Sequence, residues 1–252
     1  MKVSVVTPCF NHGKYICEML DSVMNQSYQD FEVIIVNDGS TDDTAQLLNA
    51  IANERVTIYH TINRGPAVAR NFAIHQAKGS VILNLDADDA IAPAFLEKCV
   101  HIFHDKPNAG IVYGDCVFFG AKNGPFLLPA YSFETMLRAN CIVANACFRK
   151  SDWEKTEGYS CAMTYGYEDF DFWLSIIELG RDVHQIKEPL VFYRTYENPE
   201  ESRSGRRKQD PLKVQKAIVQ AFQRHKKLYS NIPQLYEQYA ALEKKTYPDL
   251  PA

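Results

Sequence analysis

A chain of 252 residues with 46% hydrophobic and 23% charged residues can bury a large core, which excludes a disordered polymer. Its net charge of -4 gives no general reason to expect nucleic acid, but the charge is uneven: residues 203–252 hold 11 Lys and Arg against 4 Asp and Glu, a basic tail on an acidic body. The seven cysteines are odd in number and contain no C-x-x-C pair, so neither a disulfide framework nor a zinc site is expected.

The chain opens with Val3–Thr7, an apolar run that reads as a buried strand and is too short for a signal peptide. A helix follows over roughly 15–25, then a strand at Val33–Val36. The turn Asp38-Gly39-Ser40-Thr41-Asp42-Asp43 precedes a helix at Ala45–Ile51. Val56–Tyr59 is a third strand, Pro66–Ala77 a helix, and Val81–Leu85 a fourth strand running into Asp86-Ala87-Asp88-Asp89. Pro93 suits the first turn of a helix reaching His101. Strand–helix alternation of this kind implies an α/β fold with a mainly parallel sheet, whose ligands sit beyond the carboxyl ends of the strands.

Further on, the pattern predicts a strand over Ile111–Phe119, a loop over 120–130 and a short helix at Phe133–Arg138. Ile142–Arg149 reads as a strand, Glu168–Leu179 as an amphipathic helix and Pro189–Tyr193 as the last strand. Residues 195–210 are polar and aperiodic, a mobile loop, and Leu212–Tyr229 carries an apolar helical stripe beside Lys and Arg. No run approaches the roughly 18 apolar residues that a membrane helix needs. The expected location is cytoplasmic, with peripheral contact at the inner membrane face as an option for the basic tail.

Three polar clusters end three strands: Pro8–His12, Asn37–Asp43 and Asp86–Asp89. In a parallel sheet they share one edge. Asp86 and Asp88 flank a small residue, so both can approach a hard cation such as Mg2+ or Mn2+; the competing reading is an acidic cap for a helix at 90–98. Asp38 suits an imide N–H or a ribose hydroxyl, or else a helix cap. In the segment Asn63–Asn71, Gly65 permits close backbone approach and Arg70 suits either phosphate or a surface salt bridge. Asp169 sits among aromatic residues, where desolvation favours a general base, and Asp171 competes for that role.

Taken in order, Thr7-Pro8-Cys9-Phe10-Asn11, Val36-Asn37-Asp38-Gly39-Ser40-Thr41-Asp42, Asn63–Asn71, Asp86-Ala87-Asp88-Asp89 and Glu168-Asp169 resemble the inverting glycosyltransferases of family two, which have the GT-A fold. The resemblance covers roughly residues 1–194. It implies a nucleotide-sugar donor, UDP in type, bound by Pro8, Phe10, Asn11, Asp38, Gly65, Arg70, Asp86 and Ala87. It also implies a divalent metal, Mn2+ or Mg2+, on Asp88, and Asp169 as catalytic base, with Glu168, Trp173 and Arg194 on the acceptor side or in support. Many members continue as Tyr-Arg-x-His after the last strand; here Tyr196 replaces the histidine, and Arg203, Arg206 or Arg207 are candidates to supply charge from a closing loop.

The expected organisation is a catalytic domain over 1–194, with a nucleotide half at 1–105 and an acceptor half at 106–194, then the loop 195–210 and a helical tail at 211–252. The expected reaction transfers sugar with inversion to a carbohydrate or lipid-linked saccharide acceptor, as in bacterial surface polysaccharide or glycoconjugate synthesis. The alternatives are a sugar nucleotidyltransferase, against which Pro8–Lys14 holds only one Gly and one Lys, and a silent nucleotide-sugar-binding protein.

Overall fold

The computed structural model describes residues 1–202, 205 and 210–248. Among these, the first half alternates β1 (Val3–Cys9), α1 (Gly13–Met24), β2 (Phe31–Asp38), α2 (Thr44–Ile51), β3 (Val56–Thr61), α3 (Pro66–Gln76) and β4 (Val81–Asn84). Then follow β5 (Ala90–Ile91), α4 (Phe95–Asp105), β6 (Ala109–Gly120), β7 (Gly124–Phe126), α5 (Phe133–Arg138), β8 (Cys147–Arg149) and α6 (Lys150–Trp153). The chain continues through α7 (Glu168–Glu178), β9 (Asp182–Thr195), a 3-10 turn at Pro199–Glu201, α8 (Pro211–Arg224), α9 (Lys226–Tyr229) and α10 (Pro233–Thr246).

One sheet of the described residues runs β3-β2-β1-β4-β8-β6-β9-β5, with β7 added to β6. β1 pairs in parallel with both β2 and β4, and β2 with β3, so the expectation of a mainly parallel sheet holds for this half. The second half is mixed. β8 runs antiparallel to β4 and β6, while β9 lies parallel to β6 and antiparallel to β5. Val5, Val33, Ile35, Leu83 and Ile111 are fully buried between helical layers, each contributing roughly 1.5–3 kcal/mol of transfer free energy.

Because β2 and β4 flank β1, the sheet order reverses direction beside β1, and a crevice opens there. β1 pairs with β4 only as far as Val6 opposite Asn84. Residues 6 and 8 face the same neighbour, so the amide hydrogen that Pro8 lacks falls where β4 has already turned away. Proline in a central strand is thereby tolerated, and it marks the mouth of the crevice.

Several expected elements shift. The helix expected from Pro93 starts at Phe95, because Ala90–Ile91 joins β9 as β5. The strand expected from Ile142 shrinks to Cys147–Arg149. β9 begins at Asp182 rather than Pro189, since a bulge opposite Gly114 and Asp115 absorbs the proline. Gly124–Phe126 in the expected loop forms β7. The expected helix to Tyr229 breaks at His225, and α10 follows. Residues 199–201 of the expected mobile loop form a 3-10 turn, and Arg203, Arg206 and Arg207 lie outside the described residues.

The tail packs its apolar stripe inward through Ala217, Val219, Ala221 and Phe222. Asp210 caps α8 by accepting from Lys213 N–H at 3.1 Å. Buried Asp171 on α7 fastens the tail, accepting from Arg224 Nε at 2.8 Å and lying 3.2 Å from His225 Nε2. All seven cysteines are free.

Candidate functional site

At the reversal point a cleft of about 610 Å³ runs from the end of β1 to the C-terminal helices. Its lining brings together Pro8, Phe10, His12, Asp38, Arg70, Asp86, Ala87, Asp88, Glu168 and Asp169, supplied by strand ends and helix starts far apart in sequence. Four expected residues are not on the wall: Asn11, Gly65, Trp173 and Arg194. Each has a physical reason.

Asn11 adopts φ 56° and pins the β1–α1 loop to the β2–α2 loop. Its N–H donates to Ser40 Oγ at 2.9 Å, and its Oδ1 accepts from Thr41 N–H at 2.8 Å. Gly65, at φ 88°, donates its N–H to Asp38 Oδ2 at 2.8 Å, while Arg64 N–H donates to Oδ1 at 2.9 Å. Asp38 therefore organises the entry to α3 while it lines the cleft. Gly39 allows the close approach, because a Cβ there would lie 2.6 Å from Asn63 N.

Trp173 is wholly buried, edge-on to Phe148 and beside Phe172. α7 is buried around most of its circumference, so the one-turn spacing from Asp169 does not bring Trp173 to the cleft. Asp171 is likewise committed away from the cleft, to Arg224 and His225. Asp169 is the carboxylate of this helix that lines the cleft alongside Glu168.

Arg70 is no surface residue. It is 4% exposed and spans three elements: Nε donates to Asn84 Oδ1 at 2.8 Å, one terminal nitrogen to Asp86 Oδ1 at 2.7 Å, and the other to Glu168 Oε1 at 2.8 Å. Burial works against its charge, but Asp86 and Glu168 outweigh it and raise its basicity. The guanidinium thus locks β4, the acidic turn and α7 together from a buried position, which overturns the alternative of a surface salt bridge, while Arg70 still lines the cleft.

The acidic turn does not cap a helix, because a strand follows it. Asp89 N–H donates to the Asp86 carbonyl at 3.1 Å, closing the turn. Asp89 is fully engaged, accepting from Arg194 N–H at 2.8 Å and from Asn145 Nδ2 at 2.5 Å. Burial, with Asp88 and Asp86 beside it, pushes its carboxyl well above the usual range. Asn145 Oδ1 also accepts from Asp86 N–H at 3.0 Å. Beneath the turn, Arg194 donates Nε to the Asp88 carbonyl at 2.7 Å, pairs with Glu18, and lies 4.5 Å from the Tyr15 ring and 4.2 Å from the Phe119 ring.

Asp88 differs from its neighbours. Its Oδ2 accepts from the Tyr196 hydroxyl, and its Oδ1 lies 4.0 Å from His12 Nδ1. Burial raises its pKa, His12 opposes this, and Asp86 adds to it. A half-buried carboxylate crowded by acidic neighbours fits a hard divalent cation, which binds such a site through one or two carboxylates plus phosphate oxygens and water. No group of three or more His, Cys, Asp or Glu residues that could cage a metal occurs among the described residues, so a cation here would draw other ligands from a donor. Burial holds the Cys9 thiol up at about 12, too protonated for a nucleophile.

The sequence reading missed Asn84, Asn140 and Asn145, single polar residues in apolar stretches whose roles depend on partners 14 to 59 positions away. It also missed Ile218 and Tyr239, by which the tail helices close the far end of the cleft.

A reversing α/β sheet with an acidic turn after β4 and a mixed second half is the GT-A glycosyltransferase architecture. Residues 4–149 match glycosyl transferase family 2, and the chain belongs to that family. A chondroitin synthase and a hyaluronan synthase of Pasteurella multocida are each 33% identical over 197 residues, covering 73% of this chain and 20% of the relative. The chain thus spans about a fifth of the length of these relatives. Among solved structures, S. aureus TarS in complex with UDP-GlcNAc superposes with a TM-score of 0.71 at 20% identity, covering 97% of this chain and 73% of that one. A mannosyltransferase from Pyrobaculum calidifontis, in complex with GDP-Man and Mn2+, gives a TM-score of 0.64 at 20% identity over 99% of this chain and 76% of that one.

Proposed function

We propose that the chain transfers a sugar from a UDP-linked donor to an acceptor hydroxyl with inversion, in the synthesis of a surface polysaccharide or glycoconjugate. The observation that carries this reading is the sharing of one cleft by Asp88, in the turn at the sheet's reversal point, and Asp169, on the first turn of α7. The polymer synthases among the relatives and the UDP-GlcNAc bound by TarS support the donor and the product class.

In this reading the nucleoside lies between Phe10, which is 42% exposed, and Asp38, which accepts from the base. Pro8 and Ala87 bound the diphosphate path with little bulk, and Asp86, steadied by Arg70, contacts ribose or donor sugar. Asp88 would hold Mn2+ or Mg2+, which supplies neutralisation of the charge on the departing diphosphate. Asp169 takes the proton from the acceptor hydroxyl as that oxygen attacks the anomeric carbon, and the diphosphate leaves from the opposite face. The acceptor is a carbohydrate or lipid-linked saccharide. For the latter, the Lys and Arg of the tail give peripheral contact with anionic lipid, which co-sedimentation with anionic liposomes at low salt tests.

The deciding experiment screens nucleotide sugars for manganese-dependent turnover and repeats the best one with Asp169→Asn. Loss of a general base costs about 10²–10⁴ in rate, with UDP binding retained. Normal turnover by the variant would refute the assignment.

A further inference from the structure

Asn140 sits just after α5, in the turn leading to the irregular stretch before β8, and lines the cleft. Its amide has one sensible orientation. Oδ1 accepts from Ile142 N–H at 3.2 Å, so Nδ2 faces Asp169, donating to Oδ2 at 3.1 Å. The flipped amide would set an oxygen against a carboxylate and an NH2 group against an N–H, losing both bonds. The turn is also fixed from behind: Ala139 N–H donates to the Thr135 carbonyl at 2.9 Å, and the Tyr239 hydroxyl donates to the Arg138 carbonyl at 3.2 Å.

We infer that Asn140 is a positioning residue for the transfer, holding the Asp169 carboxylate in one orientation toward the acceptor and favouring its anionic form. The inference rests on the reading of Asp169 as the base. A rigid N–H donor stabilises a carboxylate over the carboxylic acid, and it removes the rotational freedom the group would otherwise lose in the transition state. A base must be both ionised and aimed before the acceptor arrives, and the Asn140 amide serves both needs without a charge of its own.

Among the described residues, the charged and titratable groups sharing the cleft with Asp169 include Glu168 beside it, Arg70, Asp86, Asp88 and Glu201, with Arg138, Tyr167 and Tyr239 further along, and Tyr159 lies close enough to feel its charge. Burial raises the Tyr159 hydroxyl far above its ordinary range, with Arg70 opposing and Asp169, Asp86 and Glu168 adding. It therefore stays neutral throughout the working range. Arg70 balances the nearby carboxylates and is untouched by a change at position 140.

The test is a 13C-carboxyl NMR titration of aspartate-labelled protein, with the Asp169 signal assigned by its loss in Asp169→Asn. Asn140→Ala removes the donor; Asn140→Asp keeps the shape but replaces the donor with an anion facing Asp169. The Asp169 midpoint is expected to move up in Asn140→Ala and further up in Asn140→Asp. Turnover of the nucleotide sugar found in the donor panel should fall by roughly tenfold or more, as for a lost hydrogen bond to a charged group, with the acid limb of the pH profile displaced upward. Manganese-dependent UDP affinity should match wild type. An unmoved midpoint in both variants overturns the inference, as does a loss of UDP affinity that accounts for the fall in rate. Failure of the wild type to bind UDP with manganese would instead count against the glycosyltransferase reading, and the titration still decides the role of Asn140.

Discussion

The Tyr196 hydroxyl donates a hydrogen bond to Asp88 Oδ2, joining the segment after β9 to the acidic turn. Burial raises the phenol's pKa and Asp88 adds to it, so the group remains a donor. It thereby takes up one oxygen of Asp88 at the position where many family members carry a histidine. With Asp88 holding the cation as proposed, Tyr196→Phe is expected to weaken manganese-dependent UDP binding by roughly tenfold, the usual cost of losing a partner that orients a metal ligand. Asp88→Ala should abolish the manganese-dependent part altogether. Calorimetry with UDP, with and without Mn2+, reads both; wild-type affinity in Tyr196→Phe would show that the bond does not orient Asp88.

Arg70 sets up the next expectation. Its removal takes away the guanidinium that Asp86 and Glu168 share, and Glu168 is 4% exposed. Arg70→Ala should destabilise the fold by about 3–5 kcal/mol, the cost of stranding one side of a buried ion pair. Arg70→Lys keeps the charge, but a single ammonium cannot span acceptors on β4, the acidic turn and α7, so it should recover only part of that loss. Urea unfolding measures both, and equal stability of Arg70→Lys and wild type would refute the three-way tie.

Asn145→Ala removes the acceptor of Asp86 N–H and a donor to Asp89 together. The expected loss is about 1–3 kcal/mol of stability, with weaker donor binding because the turn loosens. Unfolding midpoints and UDP titration check the two effects separately. Weaker UDP binding at unchanged stability would place Asn145 in contact with the donor rather than in support of the turn.

Much of this cleft is legible in the sequence because it is built where apolar runs stop. β1, β2 and β4 end in polar clusters, and parallel pairing obliges those ends to meet. Local pattern fails where long-range pairing decides. Asp86–Asp89 resembles a helix cap until Ala90–Ile91 is seen to pair with Phe192 and Val191, a partnership no window of residues reveals. Trp173 shares a helical face with Asp169 by count, yet the packing of Phe148 and Phe172 buries it. Asn140 and Asn145 are single amides in apolar surroundings, and only the fold shows which carboxylates they serve. Pro189 looked like the start of a strand because a bulge that admits proline has no sequence signature of its own.

His225 supplies the pH dependence. Burial disfavours its charge, but hydrogen bonding to Asp171 and the nearness of Glu178 more than reverse this and raise it from 6.5 to about 9. The Glu178 contact, Nδ1 to Oε2 at 3.2 Å, is an ion pair without hydrogen-bond alignment, so Asp171 is the firmer partner. A folded-state pKa above the unfolded one means the folded protein holds the proton more tightly. The stabilisation is complete below about 6.5 and is lost as pH rises through about 9. Over that window the wild type should lose up to about 3 kcal/mol, since one pKa unit is worth about 1.4 kcal/mol. His225→Gln should lack this slope while Arg224 still holds Asp171. Urea unfolding at pH 6, 8 and 10, as the difference between the two proteins, isolates the histidine from other groups that titrate near 9. Parallel curves would mean that His225 is not charged in the folded state and that the tail is held by Arg224 and apolar packing alone.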